Sequence, residues 1–140
     1  MSYGPRPAQL CLLSGLPKKQ VGDKVRFLGC VVSYSLVSRV LTLEHRLPEQ
    51  AHSTRALVDV KLVLESLGME QTSVGEWVNV VGYLTDIAPL ADGKESDRGS
   101  LAVHAQAVFV WSAGPFDIRR YERSLKALGQ TSSASCHDVS

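Results

Sequence analysis

The chain has 140 residues, of which 44% are hydrophobic and 21% charged, enough apolar material to close one packed core. Fifteen basic and fourteen acidic side chains leave a formal net charge of +1, less basic than is usual for a protein that grips nucleic acid unaided. No apolar run approaches the ~20 residues that cross a bilayer, no basic-then-apolar leader opens the chain, and Cys11, Cys30 and Cys136 are too scattered for a disulfide framework, which fits a reducing compartment.

Residues 1–22 interleave Pro5, Pro7 and Pro17 with Gly4, Gly15 and Gly22. They read as an irregular arm that packs down through Leu10, Leu12, Leu13 and Leu16. From Lys24 the pattern turns to period two, the mark of half-buried strands. A first strand over about Lys24–Leu36 sets Val25, Phe27 and Val31 against Lys24 and Arg26. Gly29 within it marks a bend or bulge, because glycine takes unusual dihedrals and clears a crowded corner. A second strand covers Arg39 to about His45, with Leu41 and Leu43 inward, and Arg46–Thr54 reads as a loop. The third strand covers about Arg55–Val63, with Val58, Val60 and Leu62 alternating against Asp59 and Lys61.

Leu64–Val74 has room for one or two helical turns. A fourth strand covers Trp77–Leu84, with Val78, Val80 and Leu84 on one face and Trp77, Asn79 and Tyr83 on the other. Ala91–Ser100 is a polar loop rich in turn formers. In the fifth strand, Leu101–Trp111, residues Leu101, Val103, Ala105, Ala107 and Phe109 alternate with His104 and Gln106. Gly114–Pro115 breaks it, and Asp117 can cap a helix. Ile118, Tyr121, Leu125 and Leu128 then fall on one helical stripe, and Gly129 supplies a stop. The polar residues 130–140 read as a disordered tail.

Five strands, a short helix between the third and fourth, and a closing helix define the fold class as all-β. This is the order of an OB-fold, a five-stranded Greek-key barrel. The expected organisation is an arm over 1–22, a barrel with its helix over 23–129, and the tail. No constellation suggests catalysis. There is no phosphate-binding glycine loop, the histidines and cysteines form no closely spaced ligand pairs for a metal, and no nucleophile elbow occurs. Cys30 reads as core filler. No cofactor and no small-molecule substrate is expected.

Two surfaces remain. On the barrel face made by the second and third strands, OB-folds hold single strands by cations along the phosphates and rings on the bases. Arg26, Arg39, Arg55 and Lys61 are the candidate cations and Tyr34 the candidate ring; the same residues also suit an ordinary solvated face. The second surface is the C-terminal helix. Ile118, Tyr121, Leu125 and Leu128 either plug their own barrel or, with Phe116 as anchor, dock against another subunit. A small barrel is already filled by its strands, which leaves the stripe vacant for a partner.

The run VRFLGCVVSYSLVSRVLTLEH (Val25–His45), with ALVDVKLV (Ala56–Val63), WVNVVGYL (Trp77–Leu84), DRGSLAVHAQAV (Asp97–Val108) and YERSLKAL (Tyr121–Leu128), resembles the Ten-one family in a fungal form. That family provides the smallest OB-fold subunit of the CST telomere-capping complex, and is similar to the small subunit of replication protein A. The resemblance spans about residues 5–129. It implies a non-enzymatic subunit in the nucleus, at the chromosome's telomere. Such a subunit pairs with the OB domain of the complex's middle subunit, Stn-one, through the barrel and the C-terminal helices, and helps the complex hold single-stranded telomeric DNA that the small subunit binds weakly alone. By position, Arg26 and Arg39 match basic positions of the first two strands, and Tyr121, Leu125 and Leu128 the partner-facing helix. The alternative is a stand-alone single-stranded nucleic-acid binder; an enzyme or ligand carrier needs a polar cavity that the inward residues do not provide.

Overall fold

The computed structural model describes residues 7–46, 53–89, 100–115 and 118–131, the last four of these as backbone only. Six strands and two α-helices are present among them: β1 (Gln9–Leu10), β2 (Lys24–Ser35), β3 (Val40–Glu44), β4 (Thr54–Asp59), α1 (Met69–Thr72), β5 (Trp77–Pro89), β6 (Leu101–Ser112) and α2 (Ile118–Thr131). Short 3-10 segments occupy Leu13–Lys18 and Lys61–Ser66.

The sheet runs β1-β2-β3-β4-β6-β5 and closes by a further pairing of β2 with β5. Strands β2 to β6 thus form the five-stranded barrel expected. The parallel pairing of β4 with β6, from Thr54 opposite Leu101 to Asp59 opposite Gln106, is its Greek-key crossing.

Closure depends on β2 serving two neighbours. Lys24 to Cys30 pair with β5, and Cys30 to Ser35 pair with β3. Gly29 lies one residue before the change of partner. A Cβ there would stand 2.8 Å from the Leu43 Cβ and 2.9 Å from Leu13 Cδ1, so glycine lets β3 and the 3-10 turn approach. The bulge itself falls later, between Val31 and Ser33.

The interior is apolar. Phe27, Leu41, Leu43, Val58, Val80 and Val103 are fully buried there, joined by Leu13 and Leu16 from the arm. The arm is less irregular than expected, since β1 pairs in parallel with Val25 and Arg26; Leu10 stays largely exposed. Two strand boundaries and one helix end also differ. β5 extends to Pro89 because β6 pairs with it that far. β4 ends at Asp59, whose Oδ1 accepts the Lys61 amide (2.9 Å) and turns the chain into the 3-10 segment. Val60 and Val63 therefore reach the core while Leu62, expected inward, is exposed. α2 continues through Gly129, where a stop was expected; a glycine ends a helix only where the chain leaves in a left-handed conformation. Asp117, the Ala91–Gly99 part of the polar loop and the tail beyond Thr131 lie outside the described residues.

Candidate functional site

The five residues expected to face a nucleic acid do not share one surface. Arg26 lies on the half of β2 that pairs with β5, opposite Val81, and its guanidinium sits over the Trp111 ring at 5.2 Å from the centroid. It is therefore not on the β3–β4 face, because the first strand crosses the barrel. Tyr34 is not a surface ring. The bulge after Val31 inserts one residue and reverses the parity, so Tyr34 stands opposite the buried Leu41 and packs against the core.

Arg55 and Glu44 form the polar centre of the β3–β4 face. Arg55 Nε donates to Glu44 Oε2 at 2.5 Å, and Arg46 lies 3.6 Å from the other carboxylate oxygen. Lys61 begins the 3-10 turn rather than extending a strand, and its ammonium is 3.9 Å from Asp59. Arg39 ends the β2–β3 turn in the left-handed region, with φ of 59°, and makes no ion pair among the described residues. The face thus carries four cations against the two carboxylates Glu44 and Asp59, with Arg39 unengaged at its rim.

The helix stripe is turned toward its own barrel. Leu125 is 9% exposed, and Ile118, Tyr121 and Glu122 are half-buried, whereas Arg119, Arg120, Arg123 and Lys126 face outward. His45, just past β3, donates from Nε2 to Glu122 Oε2 at 2.7 Å, with the imidazole 1% exposed. The Trp77 ring meets that imidazole edge-on at 5.2 Å and Tyr121 lies tilted at 6.4 Å. The expected vacant stripe is therefore occupied at Leu125. Leu28, on the outward side of β2 by its place in the strand, is buried as well, outside the interior cluster. Phe116 lies outside the described residues, as does the side chain of Leu128.

Burial pushes the Tyr121 hydroxyl up to about 12, reinforced by Cys11 and opposed by Arg26. Burial likewise lifts the Cys11 thiol to about 11 against a small lowering from Lys19. Cys30, half-buried rather than core, is raised by desolvation and then by Glu44 and Glu76. None of these is a nucleophile at neutral pH. Among the described residues no cluster of histidine, cysteine and carboxylate could hold a metal, and no helix is long and apolar enough to cross a membrane.

A surface missed by the sequence pattern lies on the outward side of β2, β5 and β6. Phe109, assigned inward by alternation, is 65% exposed. The β5–β6 register shifts between Val81 and Gly82, leaving Val108 as the extra residue, so Phe109 emerges opposite Val81. Tyr83 and Trp111 share this side at 40% and 37% exposure, with Lys24 near the Tyr83 ring at 6.0 Å. The outward parity of Tyr83 was readable; that of Phe109 needed the bulge.

No curated protein matches the chain significantly. Among solved structures, it is similar to the telomere capping protein Ten1 from S. pombe, at 23% identity and a TM-score of 0.63 over 89% of this chain and 99% of that one. A chain of the S. pombe Stn1–Ten1 complex matches at 22% identity and a TM-score of 0.61, over 92% and 98%. U. maydis replication protein A bound to ssDNA matches at 15% identity and a TM-score of 0.54, over 94% and 96%. These likenesses agree with the barrel described above. The Ten1 family, described as telomere capping, CST complex subunit, matches residues 1–126, which takes in the barrel and most of α2, and the chain belongs to that family.

Proposed function

We propose that this chain is a non-catalytic OB-fold subunit that pairs with a second OB-fold protein of the Stn1 kind. Through that pairing it supports the hold on single-stranded telomeric DNA, end protection and telomere length control in the nucleus. The observation that carries this reading is the family match across the barrel and α2 together. A chain of the S. pombe Stn1–Ten1 complex shares the fold over nearly its whole length, which supports the reading of a barrel that pairs. Ile118 and Tyr121, half-exposed along one edge of α2, are the helix's contribution to pairing; Leu125 acts by seating the helix.

The DNA contribution is auxiliary. On the β3–β4 face, Glu44 and Asp59 offset two of the four cations Arg39, Arg46, Arg55 and Lys61, and the few phosphate contacts that remain add little affinity and are salt-sensitive. The apolar interior and protonated thiols support a subunit without chemistry of its own. The direct test is co-expression with the OB domain of the complex's middle subunit, followed by size exclusion and a telomeric oligonucleotide shift. The expected result is a stable one-to-one pair that shifts the oligonucleotide at moderate salt where the chain alone does not. A chain that shifts it unaided and ignores the partner would instead be a self-sufficient single-strand binder.

A further inference from the structure

Two contacts of different kinds hold α2 against the barrel. Leu125 is the buried apolar one, alone among the described side chains of the helix. Apolar burial is non-directional, so it seats a helix without fixing how far the helix is turned about its axis. The other contact is directional. His45 Nε2 donates to Glu122 Oε2 at 2.7 Å, and the imidazole, 1% exposed, meets the Trp77 ring edge-on at the start of β5. A ring enclosed in this way cannot follow a turning helix. As a source of stability the pair is a poor choice. A buried ion pair rarely exceeds apolar packing of the same volume, and His45 Nδ1 is buried with no hydrogen-bond partner among the described residues, which subtracts further. What the pair supplies is direction.

Successive helix residues stand about 100° apart, so Glu122 and Tyr121 lie on opposite flanks of Leu125. Fixing Glu122 therefore sets how far Tyr121 turns out on the other flank. That flank adjoins the aromatic side of the barrel, because Arg26, whose guanidinium lies over the Trp111 ring, also acts on the Tyr121 hydroxyl. Pairing through barrel and helix together needs those two surfaces in register. We infer that His45 and Glu122 are positioning residues for pairing: their bond fixes the turn of α2 so that Ile118 and Tyr121 meet the OB-fold partner already in place. The inference rests on the pairing proposed above. His45 acts through the helix alone, since it has no surface to offer a partner. A helix free to turn is competent for only part of the time, and the apparent affinity falls by that fraction, through slower association.

The test uses the full chain and the purified OB domain of the middle subunit, with association and dissociation rates read by surface plasmon resonance and stability by urea unfolding. Replacing the pair by apolar side chains, His45→Leu with Glu122→Leu, should leave the urea midpoint equal to the parent's or higher. It should slow association about tenfold, with dissociation changed by less than about twofold. His45→Gln keeps an amide nitrogen near the place of Nε2 and should recover most of the rate. Packing alone predicts the opposite order, with the double leucine variant pairing as the parent does and His45→Gln pairing worse. His45→Ala covers the case in which the double variant fails to fold; it should also slow association about tenfold. Parent-like association in the folded double variant, or in His45→Ala where that one takes its place, overturns the inference while the pairing itself stands. Faster association makes the bond a restraint against pairing and overturns it too. A parent chain that never pairs overturns both readings.

Discussion

Cys11 and Tyr121 make the fold sensitive to alkali. Their protons leave the unfolded chain at the ordinary 9.0 and 10.0 but are held to about 11 and about 12 in the folded one, chiefly by burial. Raised values stabilise the fold fully below the unfolded pKa, and that stability drains as pH climbs through the folded one. The melting temperature should therefore fall from about pH 9 upward. Cys11→Ala should flatten the decline between 9 and 11, and Tyr121→Phe the one between 10 and 12, in melts recorded by circular dichroism. Gly82 is a different kind of constraint. A Cβ there would strike the Gln106 carbonyl oxygen, and backbone cannot step aside as a side chain can. Gly82→Ala should cost about 2–3 kcal/mol or more in urea unfolding. Arg39 presents the reverse case, a non-glycine residue at φ 59°. Asparagine tolerates that region better, so Arg39→Asn should raise stability by roughly 0.5–1 kcal/mol while lowering oligonucleotide affinity. Unchanged affinity would remove Arg39 from the DNA contribution.

At the scale of elements, one buried pair holds α2 to the barrel. Glu122→Gln leaves His45 with a weaker acceptor, and His45→Ala leaves a carboxylate in a half-buried site. Breaking such a pair costs roughly 3 kcal/mol. Amide exchange over 118–127 should accelerate by about a hundredfold in His45→Ala, while β5 and β6 keep their protection. Uniform acceleration through the barrel would make α2 part of the cooperative core. The element order was legible from period-two alternation and turn residues. What alternation cannot show is a bulge, since one inserted residue exchanges the two faces without altering composition. The bulges after Val31 and beside Val108 did this to Tyr34 and Phe109 in opposite senses, sending one ring in and the other out. The pattern also placed Ile118, Tyr121 and Leu125 on one stripe correctly. It had no means of telling that the stripe faces His45 of its own barrel, because that contact joins residues 77 apart in the chain. Arg26 was misplaced for a third reason, that a strand serving two neighbours faces two sides of a barrel.

For the whole molecule, the surface divides by polarity. The β3–β4 side is polar, with four cations against two carboxylates, and the β2–β5–β6 side is aromatic with basic residues along one strand. With two cations in excess of carboxylates on the first, oligonucleotide affinity of the chain alone should fall with salt at a slope no steeper than about −1.5 on logarithmic axes. A slope near −3 would require a longer phosphate track than the described residues provide. Hydrogen exchange on the assembled pair tests the division most directly, because it reads both sides in one experiment. Pairing should slow exchange in 79–84, 107–112 and 118–127, leaving 40–44 and 54–59 unchanged; slowing confined to 40–44 and 54–59 would contradict the account.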